Sequence, residues 1–567
     1  MKASDLIAER LSSISNFVFT GQGGSVVHIL DSIQKKKKIK IIPSQNEQGA
    51  SLAADAFTRV SGKTGLVIAT SGPGIINCFQ GIACSYYDSI PGIYISGAPV
   101  RSALKKNIHL RQLGFQEMDV VNIVKTFTKY SVRITDPNKI IYEIDKCLKI
   151  ANEGRKGPCL IDLPDDIQRA NIDPLKQKTY VHKKKQFIVN KNYIKKIIQF
   201  IKNSSKPIVV IGNGVKQSNC LKEVNTFLKN FKLPYAPTWG AIDLFHSNDL
   251  KNIGSFGVYA TKYGNKIIQK ADLLIILGSR MNGTLVGANP KLFAPKAKKI
   301  HIDIDSAEQN EENKIKINLS INSDLSVFLK AINQKKVNII EKKAWIEEIK
   351  FLKKEYPVVT KKHLNQKNYV SPYLFFDLLS CNLKEKDIFI PDASSNLVWA
   401  YQAFKFKKRL KVFTSLNHSP MGYSIAAAIG ASLADNKKNN IIASIGDGSV
   451  QMNIQEIQNI YYYNLPIKIF ILNNKGYGMV KQTIDTWLKS NYIGCDLKSG
   501  LSMPNFLKVF KAYQIESINI KNNKLLKNKL DKILNKKGPI MINLMIDPNQ
   551  KIEPKVKFGS PIDIMNP

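Results

Sequence analysis

The sequence has little of what marks a membrane or secreted protein. None of its apolar runs approaches the roughly 20 residues that a membrane-spanning helix requires. Its 7 cysteines are scattered, odd in number and without a Cys-x-x-Cys pair, which argues against a disulfide framework and a zinc site. The first residues, Met1 to Arg10, are charged and amphipathic, unlike a signal peptide. We therefore expect a cytoplasmic protein that does not enter a membrane.

Acidic residues are scarce relative to basic ones. The 567-residue chain carries 84 lysines and arginines against 44 aspartates and glutamates, a formal net charge of +40. Such a charge raises nucleic acid as a partner, but most of the excess is lysine, spread along the chain with Asn and Ile as an AT-rich coding sequence would produce. The clusters at residues 35–38 and 183–185 have no interleaved aromatic residues that could stack on bases. We interpret them as solvated surface or linker and expect no nucleic-acid partner.

Short apolar runs alternate with helical periodicity along the whole chain. Examples are residues 65–69, 207–211, 272–277 and 539–543. This alternation is typical of α/β proteins with parallel, doubly wound sheets. Charged stretches interrupt it twice, so we predict three domains, at residues 1–175, 190–335 and 365–550.

The most informative motif lies in the third domain. Residues 441–445 indicate a buried strand that stops at Asp447, residues 452–463 indicate a helix, and residues 466–472 indicate a second strand followed by Asn474. Adjacent parallel strands end at one edge of the sheet, so Asp447 and Asn474 can converge. A carboxylate and an amide oxygen suit Mg²⁺, whose other positions phosphate oxygens, a backbone carbonyl and water would take. The motif predicts a site for a metal-bound diphosphate.

Gly446-Asp-Gly448 followed by Asn473-Asn474 resembles the signature of thiamine-diphosphate enzymes. Within that superfamily the chain resembles the acetolactate synthase group. The resemblance rests on motifs that follow one another in the family's order: Asn46-Glu-Gln-Gly-Ala50, Thr70-Ser-Gly-Pro-Gly74, Asp88-Ser-Ile-Pro91, Phe115-Gln-Glu117, Gly157-Pro158, Asp162-Leu-Pro164, Met421-Gly422 and Gln451-Met-Asn-Ile-Gln-Glu456. It implies a pyrimidine-binding domain, a central Rossmann-like domain of the FAD or ADP type, and a diphosphate-binding domain, in chain order.

The resemblance also implies roles for individual residues. Glu47 matches the glutamate that protonates the aminopyrimidine ring of the cofactor; taken alone, it could equally be a first-turn acid stabilised by the helix dipole. Phe115 and Gln116 match residues on the substrate side. Asp447, Asn474 and the carbonyl of Gly476 match the metal ligands. The other implied cofactor contacts are Pro73, Asn77, Met421, Gly422, Gly446, Gly448 and Ser449.

Two further features follow from the resemblance. In the family, the counterparts of Glu47 and Asp447 serve one cofactor from different subunits, which implies a homodimer or homotetramer with the active site at the subunit interface. In the central domain, Gly212, Arg280 and Asp303 occupy positions of the FAD-binding domain of the synthases. Related enzymes keep this domain with the flavin lost or replaced by ADP, so FAD is one of three alternatives.

Several departures from the family's pattern affect the second substrate. Thr483 stands where the biosynthetic synthases carry a tryptophan, and residues 281–284 lack the arginine expected there. An arginine fork is suited to holding a carboxylate, so its absence weakens the case for pyruvate or 2-oxobutyrate as acceptor. Residues 392–396 replace the usual Gly-Gln-His at a diphosphate-side loop, and residues 20–24 replace a Pro-Gly-Gly turn.

We therefore expect a carboligase of the acetolactate synthase type, with thiamine diphosphate, Mg²⁺ and FAD as cofactors. It would decarboxylate pyruvate or a similar 2-oxoacid and transfer the hydroxyethyl group to a second carbonyl compound, acetolactate formation being the nearest named activity. One alternative adds the two-carbon unit to a keto-sugar nucleotide in polysaccharide biosynthesis. Others are a simple 2-oxoacid decarboxylase and a non-catalytic regulatory homologue.

Overall fold

The N-terminal part of the chain forms a six-stranded parallel sheet. The computed structural model describes residues 1–107, 109–181, 186–310 and 315–566. The strands are β1 (Phe17–Gly21), β2 (Lys40–Pro43), β3 (Gly65–Ala69), β4 (Gly92–Ala98), β5 (Tyr130–Arg133) and β6 (Pro158–Pro164), in the spatial order β2-β1-β3-β4-β6-β5. The helices are α1 (Ala3–Ser12), α2 (Val27–Lys36), α3 (Glu47–Ser61), α4 (Pro73–Asn77), α5 (Phe79–Asp88), α6 (Val120–Val124), α7 (Ile140–Asn152) and α8 (Asp165–Arg169). Strands β3 and β4 are buried along their whole length, as expected of strands covered by helices on both faces.

The middle of the chain forms a five-stranded parallel sheet. Its strands are β7 (Pro207–Ile211), β8 (Tyr235–Pro237), β9 (Leu273–Leu277), β10 (Lys298–Asp303) and β11 (Leu319–Asn322), in the order β11-β10-β9-β7-β8. The helices are α9 (Lys191–Asn203), α10 (Gly214–Gln217), α11 (Leu221–Asn230), α12 (Lys262–Gln269), α13 (Gly283–Val286), α14 (Ala307–Asn310), α15 (Leu325–Asn333), α16 (Lys343–Glu355) and α17 (Lys361–Leu364).

The C-terminal part repeats the strand order of the first sheet. Its strands are β12 (Ile388–Pro391), β13 (Lys411–Val412), β14 (Ile441–Gly446), β15 (Ile467–Asn473), β16 (Glu516–Ile520) and β17 (Ile540–Met545), in the order β13-β12-β14-β15-β17-β16. The helices are α18 (Pro372–Asn382), α19 (Ser394–Ala403), α20 (Tyr423–Ala434), α21 (Asp447–Val450), α22 (Ile457–Tyr462), α23 (Gly478–Trp487), α24 (Phe506–Ala512) and α25 (Asn523–Asn535). Two short antiparallel strands follow, β18 (Lys555–Val556) and β19 (Met565–Asn566). Three parallel α/β sheets confirm the predicted fold class.

The two outer domains pack on each other through α3 and α20. A Cβ atom added at Gly430 of α20 would overlap the carbonyl oxygen of Ala53 on α3. Around this crossing, one apolar cluster includes Leu52 and Phe57 of α3 and Ile429 of α20. The largest core of the protein is therefore shared between its first and last domains.

The structure differs from one expectation about secondary structure. The helix expected over residues 452–463 begins at Ile457, after a 3₁₀ turn at Ile454–Glu456. Asn453 lies outside the helical region at φ −138° and ψ 31°, and its buried amide donates to the carbonyl of Gly422, 31 positions earlier. A tertiary hydrogen bond thus replaces the first turn that apolar periodicity predicted.

Two other expectations can be placed in the fold. Lys35 and Lys36 end α2, and Lys35 is exposed, as predicted for the first lysine cluster. The second cluster, at residues 183–185, lies outside the described residues. None of the described helices is both long and apolar enough to cross a membrane.

Candidate active site

Asp447 lies at the carboxyl end of β14, in the first turn of α21. Its side chain is buried and accepts hydrogen bonds from the backbone N–H groups of Gly448, at 2.8 Å, and Gly476, at 3.1 Å. Burial raises the pKa of Asp447 to about 7, although these N–H groups stabilise the ionised form. A carboxylate oxygen that accepts one N–H retains a lone pair for a cation.

The loop after β15 lies against this carboxylate. Strands β14 and β15 pair in parallel with Gly446 opposite Leu472, so the loops that follow them leave the sheet side by side. Asn474 is buried in the second loop, and Gly476 reaches Asp447 through its N–H group. The structure brings the three predicted metal residues to one edge of the sheet.

Further buried polar groups surround these loops. Asp392, just after β12, accepts hydrogen bonds from the N–H groups of Ala393 at 2.7 Å and Gly422 at 3.0 Å, and burial raises its pKa to about 7. Asn396 donates to the carbonyl of Ser444, but its Oδ1 has no hydrogen-bond partner among the described residues. An unpartnered buried oxygen near the end of β14 fits a site that receives a polar ligand.

Met421 and Gly422 reach the same group from the segment before α20. Gly422 has φ of 86°, a left-handed conformation that favours glycine, and its carbonyl accepts the Asn453 amide at 3.1 Å. Met421 is half-buried beside it. Ser449 is buried on α21, next to Gly448. The predicted diphosphate-side residues thus form one cluster, which we call the C-terminal half-site.

Glu47 is the first residue of α3 and is half-buried. Its Oε2 accepts a hydrogen bond of 2.9 Å from Nδ2 of Asn77, the last residue of α4, and its side chain lies against Gly21 at the end of β1. Pro73, which begins α4, is exposed. These predicted residues form a second cluster at the carboxyl edge of the first sheet, which we call the N-terminal half-site.

The predicted substrate residues border this second cluster. Gln116 has φ of 59° and packs against Gly72, next to Pro73. The side chain of Phe115 is 86% exposed. Glu117 holds the loop by accepting the backbone N–H of Lys105 at 2.7 Å.

The two half-sites are not joined directly within one chain. Among the described residues, no hydrogen bond or ion pair links Glu47 to Asp447, Asn474 or Gly476.

A buried ion-pair network connects the domains that carry the half-sites. Arg59 of α3 pairs with Asp55 at 2.7 Å and with Asp88 at 2.9 Å. Asp88 also accepts the backbone N–H groups of Leu416 at 2.9 Å and Asn417 at 3.1 Å. The N-terminal domain thereby anchors the segment that leads to Met421 and Gly422.

A cavity of about 1940 Å³ lies between the three domains. Two of the predicted FAD contacts, Arg280 and Asp303, are in its wall, and Gly212 lies at the end of β7 with its N–H donated to the Leu277 carbonyl. Burial and the neighbouring guanidinium of Arg155 lower the pKa of Arg280. The cavity has the volume and cationic groups to hold a dinucleotide.

The two altered acceptor positions lie in different places. Thr284, in the segment without the expected arginine, is part of the cavity wall and donates to Asn282, whose amide donates to Asn417. Thr483 is exposed on α23 and donates to the carbonyl of Met479. Neither position supplies a charge that could hold an acceptor carboxylate.

Sequence reasoning missed several buried polar residues near the half-sites. The sequence patterns indicate no role for Arg59 or Asn459, and they include Asp392 and Glu456 only as members of longer stretches. The signal that could have found Asn459 is a polar residue flanked by Ile457 and Ile460 on a helix that is otherwise apolar on that face. Such a residue requires a buried hydrogen-bond partner.

Comparison with protein families matches each domain separately. Residues 1–123 match the N-terminal TPP binding domain of thiamine pyrophosphate enzymes, where thiamine pyrophosphate is another name for thiamine diphosphate. Residues 194–332 match the central domain of these enzymes, and residues 392–544 match their C-terminal TPP binding domain. The half-sites described above lie in the first and third of these matches.

Comparison with curated proteins finds relatives along the whole chain. The acetolactate synthase large subunit of Cyanidium caldarium is 31% identical over 557 residues, which cover 96% of this chain and 92% of that protein. The acetolactate synthase large subunit of Lactococcus lactis is 29% identical, with 99% of this chain and 95% of that protein covered. Acetolactate synthase 2, chloroplastic, of Nicotiana tabacum is 29% identical, with 98% and 84% covered.

Proposed function

This chain belongs to the thiamine pyrophosphate enzymes, in the group of acetolactate synthase large subunits, and from that membership we propose how its residues carry the reaction. It is a thiamine-diphosphate-dependent carboligase of the acetolactate synthase type. In the proposed reaction, one pyruvate loses carbon dioxide, its remaining two-carbon unit forms a bond to the carbonyl carbon of a second pyruvate, and one proton is taken up. The observation that carries the proposal is the buried Asp447 carboxylate beside Asn474 and Gly476.

The C-terminal half-site would hold Mg²⁺ and the diphosphate. Asp447 Oδ, Asn474 Oδ1 and the Gly476 carbonyl are hard oxygen ligands, and diphosphate and water oxygens would complete an octahedron. Among the described residues, no three His, Cys, Asp or Glu side chains form a metal cluster, which fits a cation that shares its ligands with a cofactor. The unpartnered Oδ1 of Asn396 supports a polar ligand at this edge.

The N-terminal half-site would hold the aminopyrimidine ring. Glu47 would carry a proton on its Oε atom toward the ring nitrogen, and the bond from Asn77 would fix the direction of that carboxyl group. The bound cofactor supplies an electron sink for decarboxylation. Phe115 and Gln116 would then border the substrate and keep water from it.

A complete site would combine the N-terminal half-site of one chain with the C-terminal half-site of another. Three exposed apolar side chains beside the half-sites support this assembly, Ile76, Phe115 and Met452. We infer a homodimer, or a homotetramer built from such dimers.

The central domain would bind FAD in the cavity between the domains. Arg280 would face the diphosphate of the flavin dinucleotide, and Asp303, which ends β10, would face a ribose hydroxyl. The proposed role is structural, because the acyl-transfer reaction itself moves no electrons to a flavin.

A second acceptor is favoured by one observation. Thr483 stands where the synthases carry a tryptophan, residues 281–284 lack the arginine expected there, and Thr284 opens onto the cavity. A larger acceptor without a carboxylate next to its carbonyl group, such as a keto-sugar nucleotide, would fit the altered positions. Its phosphates would meet the chain's positive charge.

Product analysis tests the proposal. Purified protein is incubated with thiamine diphosphate, Mg²⁺ and pyruvate, with and without keto acids and keto-sugar nucleotides, and the products are identified by mass spectrometry. Acetolactate from pyruvate alone supports the first acceptor, and a two-carbon adduct that needs the sugar supports the second. Free acetaldehyde as the sole product would make the protein a simple decarboxylase and contradict the carboligase.

A further inference from the structure

The turn that carries Glu47 is held by the C-terminal domain of the same chain. Glu456 Oε1 accepts the backbone N–H of Asn46 at 3.0 Å. Asn459, one turn along, donates Nδ2 to the carbonyl of Pro43 and to Glu456 Oε2, both at 3.0 Å. These bonds hold both sides of the three-residue connection between β2 and α3, at the Pro43 carbonyl and at the N–H of Asn46, directly before Glu47.

The contact is close and buried. Glu456 is completely buried and Asn459 nearly so. A Cβ atom added at Gly49 would overlap the Glu456 carboxylate, so this glycine permits the approach of α3. On the other side of the turn, the Asn46 side chain caps α3 by accepting the N–H of Gln48 at 2.8 Å. The start of α3 thus has little freedom to move.

We propose that Glu456 and Asn459 are positioning residues that set the direction of the Glu47 carboxyl group within their own chain. The inference rests on the proposed role of Glu47 at the cofactor. It gives the C-terminal domain a second task beyond the diphosphate half-site.

Glu456 and Asn459 are polar side chains that hydrogen-bond to a backbone turn, which suits them to positioning that turn more than to filling the core. Burying a carboxylate costs free energy unless hydrogen bonds compensate, and apolar residues of similar volume would fill the space at lower cost. Burial raises the pKa of Glu456 to about 7, against the effect of its bonds from Asn46 and Asn459. Hydrogen bonds to a fixed backbone turn define a direction that apolar contacts do not.

In the assembled enzyme, each C-terminal domain would contact two active sites. If Asp447 of one chain serves the same cofactor as Glu47 of its partner, each C-terminal domain acts in two active sites. It contributes Asp447 to one site and aligns Glu47 in the other, although Asp447 and Glu456 are only nine positions apart in the sequence.

The first test measures the step that Glu47 would govern. The carboxylate of Glu456 accepts hydrogen bonds from Asn46 and Asn459. In Glu456→Gln, an NH₂ group replaces one of the two accepting oxygens and faces a donor, so the turn should shift. A shift of this kind can reduce the rate about a hundred-fold. We expect a parallel fall in kcat and in the rate at which the C2 proton of bound thiamine diphosphate exchanges with deuterium, measured by NMR after acid quench, with cofactor affinity within about threefold of wild type. Wild-type exchange in a folded Glu456→Gln protein would overturn the proposal.

Two further variants keep this test decisive. Asn459→Ala removes the bond to Pro43 without adding a donor, and it should slow exchange less than Glu456→Gln; if Glu456→Gln does not fold, an unchanged exchange rate in Asn459→Ala overturns the proposal. Gln458→Ala, at an exposed position of the same helix, should leave the exchange rate unchanged. Thermal melting of each variant identifies any loss of folded protein.

The second test assigns the effect to one half-site. Mixed assemblies are isolated through two different affinity tags, one on each variant chain. Glu456→Gln paired with Asp447→Ala should retain one working site and about half of the wild-type activity, whereas Glu456→Gln paired with Glu47→Gln should retain almost none. If Glu456 acted through the Asp447 loop, the two results would be exchanged, and the proposal would be wrong.

A control separates this inference from the proposed assembly. Glu47→Gln paired with Asp447→Ala should recover about half of the activity if sites are shared between chains. If this pair is inactive, the shared site fails, and the deuterium exchange of Glu456→Gln alone decides the positioning role.

Discussion

The first and last domains have the same strand order and yet carry different chemistry at corresponding places. Both sheets run in the spatial order second, first, third, fourth, sixth, fifth when strands are numbered within each domain. The helices that follow the second strands, α3 and α20, pack on each other. Before α3 the chain presents the Glu47 carboxyl group; before α20 it presents the backbone of Gly422.

The loops after the third strands differ in a similar way. In the first domain this loop leads from Thr70 to Pro73, and in the last it begins with the buried Asp447. The shared topology therefore determines where a functional group stands, and we propose that the residue at that place determines whether the domain binds a ring or a metal-bound diphosphate. Four experiments test this division.

The largest effect is expected at Asp447. Asp447→Ala removes the carboxylate that would bind Mg²⁺, and activity should fall on the order of a thousand-fold, with loss of Mg²⁺-dependent cofactor binding by calorimetry. Thr70→Ala changes the corresponding loop of the first domain and should retain Mg²⁺-dependent binding. Equal loss of that binding in both variants would contradict the assignment of the metal to the last domain alone.

The next effect is expected at Glu47. Glu47→Gln keeps an oxygen for the Asn77 amide but cannot hold the acidic proton, so kcat should fall by about 10²–10⁴-fold while cofactor binding persists. Steady-state kinetics and calorimetry measure the two quantities separately. A fully active Glu47→Gln enzyme would exclude this residue from catalysis.

A smaller effect is expected where the two domains cross. Gly430→Ala places a methyl group against the Ala53 carbonyl and should lower the free energy of unfolding by about 1–3 kcal/mol. Gly24→Ala, where no atom lies within 4 Å of the added carbon, is the matched control and should change it by less than about 0.5 kcal/mol. Equal denaturation midpoints for the two variants would mean that α3 and α20 can move apart at Gly430 without loss of stability.

A fourth effect concerns pH. Burial raises the pKa of Asp392 and Glu456 to about 7, above their values in the unfolded chain, so the folded protein binds more protons between about pH 4 and 7. The free energy of unfolding should therefore decrease as pH rises through this window, by on the order of 1 kcal/mol per pH unit for each group. Urea denaturation of the cofactor-free protein at several pH values measures the slope, which Glu456→Gln should reduce. A slope of the opposite sign would show that other groups dominate.

Much of the fold could be predicted because its strands are local apolar runs. Residues 65–69 and 207–211 form strands with the predicted bounds, and the parallel sheets follow from their alternation with helices. The helix start at residue 452 was wrong because Asn453 bonds to Gly422, a contact that no local pattern contains. Local periodicity therefore identifies elements better than their ends.

The sequence predicted the loops of Asp447 and Asn474 better than the contacts around Glu47. Asp447 and Asn474 follow adjacent strands, so their convergence could be inferred from one strand-helix-strand unit. The bond between Asn46 and Glu456 joins residues 410 positions apart, and in the sequence Glu456 is one more polar residue on an amphipathic segment. The roles of the site residues themselves stay predictions until the variants are measured.

The hydrogen bond from Asn46 to Glu456 also has a consequence for protein synthesis. A growing chain makes the first domain long before the residues that hold the turn at the start of α3. While the ribosome translates the central domain, the Gly49 face of α3 lacks its partner, and the nascent first domain can fold its sheet but cannot fix this turn. These hydrogen bonds can therefore form only after Asn459 has left the exit tunnel, so a prematurely terminated chain would be released without them.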